Sequence, residues 1–148
     1  VPGQPLAVTA ALLAGIAGGL QIAISGVFGR RIGVLEAACF ASVITVVTLV
    51  AATLVARQGL GGVVEGLRLP PWMWFGGLGS AILVLSVTFA GPRIGGLATG
   101  GLLIAGQLCI LVCTDTFGWF GLQRVSLSAQ RVLGLVLLVV ASFLILRR

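Results

Sequence analysis

Histidine, tyrosine and lysine are all missing from this chain of 148 residues. Without histidine there is no imidazole base poised near neutral pH, no HExxH zinc motif and no His-based ligand set. No phosphate-binding glycine loop and no activated serine or cysteine constellation replaces them. The sequence therefore reads as a non-enzyme with no cofactor and no metal site. Charge is equally scarce: 8% of residues are charged and 59% are hydrophobic, whereas a soluble domain averages about 25% charged. So few polar residues cannot clothe a water-soluble surface. All nine basic residues are arginine, set against Glu36, Glu65 and Asp115. A net charge of +6 suggests nucleic acid only when it forms a patch on one face. Here the arginines fall in short gaps between apolar runs, as they do in polytopic membrane proteins.

The three cysteines, Cys39, Cys109 and Cys113, are odd in number and sit inside apolar runs, which argues against a disulfide framework. Cys109 and Cys113 share a helical face, but a metal site needs further ligands. They read as small apolar packing residues.

Five runs are long enough to cross a bilayer, which takes about 20 mostly apolar residues per helix. They extend over about Leu6 to Phe28, Leu35 to Ala56, Trp72 to Ala90, Leu97 to Phe117 and Leu127 to Leu146. The predicted fold is an all-α integral membrane protein, a single five-helix transmembrane domain over residues 1–148. A Gly-rich link from Gln58 to Leu69 separates the second and third spans. Pro70 and Pro71 open the third span, where a missing N–H leaves nothing unpaired. Gly91-Pro92-Arg93 is expected to end it. Ser126 is the expected N-cap of the fifth, and Arg131 can snorkel to the interface. The first run lacks a basic flank ahead of it and four more spans follow, which argues against a signal peptide.

With five spans the two ends lie on opposite sides. The N-terminal side holds Arg57, Arg68, Arg124 and Arg131; the other holds Arg30, Arg31, Arg93, Arg147 and Arg148. A bias of one arginine barely selects an orientation under the positive-inside rule. Either another determinant fixes the orientation, or the chain inserts both ways and pairs as an antiparallel homodimer. Trp72, Trp74 and Trp119 all fall near the N-terminal side, so antiparallel pairing would give both interfaces a tryptophan anchor.

Small residues let membrane helices approach closely. The first span carries them at every fourth position, Ala7, Ala11, Gly15 and Gly19, and the fourth has Gly96 and Gly100. These faces are expected to pack, within a protomer or across a dimer. Polar side chains in the spans are costly and therefore informative. Gln21, Ser25 one turn later, and Gln107 are candidates for a substrate pathway, with interhelical hydrogen bonding as the alternative. Glu36 and Asp115 stand near span ends. Each is a candidate for coupling or ion binding, or a solvated interfacial carboxylate; Glu36 could also pair with Arg30 or Arg31.

Several segments together resemble one family. They are Gly18-Gly19-Leu20-Gln21 with Ser25-Gly26; Pro71-Trp72-Met73-Trp74-Phe75-Gly76-Gly77; and Gly95 after Pro92-Arg93. To these add Ala105-Gly106-Gln107, Asp115-Thr116-Phe117-Gly118-Trp119-Phe120-Gly121 and Arg131-Val132-Leu133-Gly134. In order and spacing, from about Leu6 to Leu146, they resemble the YdcZ-type small membrane proteins of the drug/metabolite transporter superfamily. That family usually has Asn where this chain has Ser25. The resemblance implies a multi-pass protein of the bacterial inner membrane that moves a small-molecule substrate. It also implies half of an inverted-repeat transporter fold, completed by a second copy or a paired homologue and working by alternating access. A non-transporting scaffold or accessory subunit, and a lipid-head-group flippase with Arg30 or Arg93 at its mouth, are the competing readings.

Overall fold

A computed structural model of the chain describes residues 4–119 and 128–146. The expected cap Ser126, the predicted fifth-span start at Leu127, and Arg124, Arg147 and Arg148 lie outside the described residues. In chain order the elements are α1 (Gln4–Ile32), α2 (Val34–Arg57), α3 (Gly61–Gly66), a 3₁₀ turn (Pro71–Trp74), α4 (Phe75–Ile94), α5 (Gly96–Phe117) and α6 (Ala129–Leu146). There is no strand among the described residues. Five stretches are long and apolar enough to cross a membrane: α1, α2, the 3₁₀ turn with α4, α5, and α6. The protein is all-helical, as its composition requires: in hydrocarbon only a helix or a closed barrel satisfies every backbone group. The Gly-rich link contributes the short α3, and the Trp74 indole N–H donates to the Gly66 carbonyl at 3.2 Å.

The expected break at Gly91-Pro92-Arg93 does not occur; α4 runs through Pro92 to Ile94. Proline removes only the bond that its own N–H would give to the carbonyl four residues back, and crowds that carbonyl. In the last turn this loss is tolerated. The carbonyl concerned belongs to Thr88, and α1 packs at that point.

Contacts divide the chain into two units, Val1–Ile22 with Arg93–Arg148, and Ala23–Pro92. In the second unit the buried residues are Ser25, Gly26 and Gly29 of α1, Ala37 and Ala38 of α2, and Val87 and Thr88 of α4. All lie toward the end where α1 turns into α2. Thr88 is completely buried, and its hydroxyl donates to the Val84 carbonyl at 2.8 Å. Gly29 faces it so closely that a Cβ there would stand 2.7 Å from Thr88 Cγ2 and 3.2 Å from its carbonyl oxygen. Gly26 lies against Gly91 and Pro92. Phe28 and Phe40 meet edge to face, with centroids 5.4 Å apart, and tie α1 to α2.

In the first unit, Ile22 of α1 fills the space left by Gly96 and Gly100 of α5, 3.8 and 3.5 Å from where their Cβ atoms would be. The Ser142 hydroxyl of α6, itself buried, donates to the Gly101 carbonyl of α5 at 3.0 Å.

One residue joins α1 to α2 and one joins α4 to α5. Gly33 has φ 103°, ψ 154° and Gly95 has φ 85°, ψ 154°, a backbone region that only glycine enters at low cost. The corners repeat in sequence: Gly29-Arg-Arg-Ile-Gly33-Val-Leu matches Gly91-Pro-Arg-Ile-Gly95-Gly-Leu. In both, the residue four beyond the corner glycine donates its N–H to that glycine's carbonyl, Ala37 at 3.1 Å and Thr99 at 3.0 Å. In both, arginine stands in the last turn of the preceding helix, where a cation complements the macrodipole.

These contacts set the cost of adding one methyl group. Gly29→Ala is expected to destabilise the protein by about 1–3 kcal/mol, and Gly33→Ala and Gly95→Ala by a similar amount of about 1–3 kcal/mol through backbone strain. Gly15→Ala, with no described residue within 4 Å of its Cβ, should not destabilise the monomer. Thermal unfolding in detergent reads all four. A Thr88→Ser background should recover most of the Gly29→Ala loss, because it removes the methyl that collides.

Candidate functional site

A hydroxyl in a membrane helix can satisfy itself by donating to the carbonyl one turn back. The helices here do this repeatedly: Thr45 to Ala41, Thr48 to Ile44, Thr53 to Leu49, Ser80 to Gly76 and Thr99 to Gly95, at 2.8–3.1 Å. A carboxamide cannot, because it carries two donor hydrogens and an acceptor. Gln21 and Gln107 are therefore the demanding polar groups of the spans. Both are exposed, and neither side chain bonds to another described residue. Gln107 is near the centre of α5 and Gln21 is well inside α1. An amide without a partner in an apolar medium costs about 2–7 kcal/mol. Each therefore calls for a partner helix or a polar pathway beside it.

Ser25 does not share this surface. Although one turn from Gln21, it is buried at 7% exposure among the close contacts of α1 and α4. Ser25 is thus buried where the two glutamines are exposed. The small face of α1 is also open: Ala7, Ala11, Gly15 and Gly19 are exposed, and no described residue lies within 4 Å of a Cβ at Gly15 or Gly19. Among the described residues α1 packs farther along, through Ile22 against Gly96 and Gly100 of α5, and through Ser25, Gly26 and Gly29. Cys39, Cys109 and Cys113 are exposed free thiols rather than packing residues.

The two carboxylates occupy opposite electrostatic settings. Glu36 is in the first turn of α2, and its carboxylate folds back over Gly33, where a Cβ would collide with it. A negative charge at a helix N-terminus is favourable, so helix stability alone accounts for its position. No ion pair to Arg30 or Arg31 is present among the described residues. Asp115 is in the last turn of α5, half-buried, with no basic residue in that turn. There the macrodipole opposes its charge. Its neighbours Thr114 and Thr116 bond their own helix, to the Leu111 and Val112 carbonyls at 2.9 and 2.7 Å. Among the described residues nothing in the local fold rewards Asp115.

Near the same end, the Phe117 and Trp119 rings, on either side of the left-handed cap Gly118, stack at 5.7 Å and 21°. Trp72 and Trp74, about half exposed, precede α4. Tryptophans at span ends suit the membrane–water boundary.

The signals that the sequence reading missed are the paired glycine corners and the Gly29–Thr88 contact. The first was present as the repeated Gly-x-Arg-Ile-Gly. The second has no sequence signature beyond two small residues on separate helices.

Five apolar helices with carboxamides at mid-span define a multi-pass integral membrane protein with polar business inside the bilayer. The chain belongs to the family described as "Putative inner membrane exporter, YdcZ", whose family model matches residues 6–144. Membership places it in the inner membrane and among transporters. The chain matches no curated protein and no solved structure.

The dipole argument predicts opposite stability effects for the two acids. Glu36→Gln should lower stability by about 0.3–1 kcal/mol, and Asp115→Asn should raise it by about 0.3–1 kcal/mol. Chemical denaturation in detergent at low ionic strength distinguishes the signs.

Proposed function

We propose that the chain is one half of a small-molecule exporter, and that two copies pair antiparallel and work by alternating access. The observation that carries this reading is the pair of exposed mid-span carboxamides. A lone protomer would present Gln21 and Gln107 to hydrocarbon, whereas a pair enclosing a polar pathway gives them partners. Antiparallel pairing suits an arginine balance that differs by one residue between the two sides, and it supplies the inverted relation on which alternating access rests. The open small face of α1, with Ala11, Gly15 and Gly19, is available for close helix contact with the second copy. Gln21 and Gln107 contact cargo. Asp115 carries the coupling charge, because its place opposes helix stability. Glu36 serves the start of α2 and is the lesser candidate for coupling. Ser25 supports the wall of the pathway from behind rather than touching cargo.

Two measurements test this reading. In a background with Cys39, Cys109 and Cys113 replaced by Ala, Gln21→Cys and Gln107→Cys should react with a water-soluble maleimide in proteoliposomes. Ser25→Cys should react at least about tenfold more slowly, as burial denies it water and thiolate character. If both glutamine positions resist labelling, they face lipid or protein and the pathway is lost. Reporter fusions at the C-terminus should report both sides of the membrane in comparable amounts. One fixed orientation would rule out the antiparallel homodimer.

A further inference from the structure

The helix bounds place charge and neutral polarity in separate layers. Arg30 and Arg31 lie within two residues of the end of α1, Arg57 closes α2, and Arg93 is one residue from the end of α4. Glu36 is two residues into α2, Asp115 two residues from the end of α5, and Arg131 two residues into α6. At about 1.5 Å per residue, every charged side chain of the five crossings is rooted within about 3 Å of a helix end. The middle of each crossing holds no ionisable acid or base except the cysteine thiols. Its polar groups are hydroxyls, many of them bonded to their own helices, and the two free carboxamides, Gln21 and Gln107. Gln107 stands ten residues from one end of α5 and eleven from the other, about 15 Å of helix either way.

A net charge at mid-bilayer is costly unless an opposite charge meets it there. A protein that carries cations needs an acid at that depth, and one that carries anions needs a base. Neither is present in any of the five spans, and a second copy of the chain brings the same neutral middle. A carboxamide offers one acceptor and two donors with no charge. It thus matches a cargo that both accepts and donates hydrogen bonds.

We infer that the cargo crosses the middle of the membrane as an uncharged molecule bearing both hydrogen-bond donors and acceptors, such as an amide, a polyol or a neutral nucleoside. This rests on the transport reading above and names its substrate class. The charged layers at the helix ends then act on proton coupling and orientation, not on recognition at mid-depth.

The experiment uses the full chain in proteoliposomes preloaded with nicotinamide, xylitol and uridine as neutral probes, and methyl viologen and ethidium as permanent cations. Efflux is read by mass spectrometry against protein-free liposomes. The expected result is efflux of one or more neutral probes, with the cations slower by about a hundredfold, the penalty for a mid-membrane charge. Gln107→Ala should abolish the neutral efflux. The nearly isosteric Gln107→Glu should weaken it and admit methyl viologen. Protein-dependent efflux of either cation from the wild type, with the neutral probes retained, overturns the substrate class while leaving transport intact. Retention of all five probes overturns both.

Discussion

The hydrocarbon of the bilayer accepts neither an unpaired polar group nor an unmatched charge, and most of this structure follows from that constraint. It demands helices, and among the described residues the chain has only helices and short connections. It demands that hydroxyls be satisfied locally, and Thr45, Thr48, Thr53 and Thr99 fold back on their own carbonyls. It drives arginine to the ends of spans, where Arg31 and Arg93 also complement the C-terminal dipoles of α1 and α4. The same constraint turns exceptions into information. Gln21 and Gln107 cannot be satisfied by their own helices, and Asp115 stands where the helix dipole is against it.

Turning a membrane helix back on itself in one residue requires a backbone conformation closed to side chains. Gly33 and Gly95 supply it, and α1 and α2 pack close to the first of these corners. In Ala23–Pro92 the buried side chains gather at that end, with Gly29 pressed on Thr88 and Gly26 on Pro92. Pro92 and the two glycines are complementary features of one contact. The proline leaves the Thr88 carbonyl without its helical donor, and the glycines remove the side chains that would hold α1 away from that turn.

How far the sequence disclosed this follows from the kind of signal each feature has. The five spans were legible because hydropathy integrates over about 20 residues, and Gln21, Gln107 and Asp115 were legible as polar residues in apolar surroundings. The corners were not, because a positive φ leaves no trace in hydropathy. Their only mark was the repeat of Gly-x-Arg-Ile-Gly. Pro92 does not end α4, because a proline in the last turn removes one bond without ending the helix. The packing face of α1 was sought in Ala7, Ala11, Gly15 and Gly19, where the fourfold spacing is clearest. The observed contacts use Ile22, Ser25, Gly26 and Gly29, the i, i+3, i+4, i+7 continuation of the same face farther along the helix. Periodicity marks the face; a partner's shape decides which stretch of it is used.

The repeat has a consequence for assembly. Since α3 is far too short to cross, α1 and α4 traverse the membrane in the same sense, as do α2 and α5. The duplicated Gly-x-Arg-Ile-Gly corners therefore follow crossings of the same sense, and such a repeat is not an inverted one. The fifth crossing, α6, joins α5 through Ser142 and Gly101 and has no counterpart in the repeat. If alternating access needs an inverted pair, these five crossings alone do not contain it. The near-equal arginine count and the open Gly15–Gly19 face of α1 are the two features on which the proposed pairing with a second copy rests.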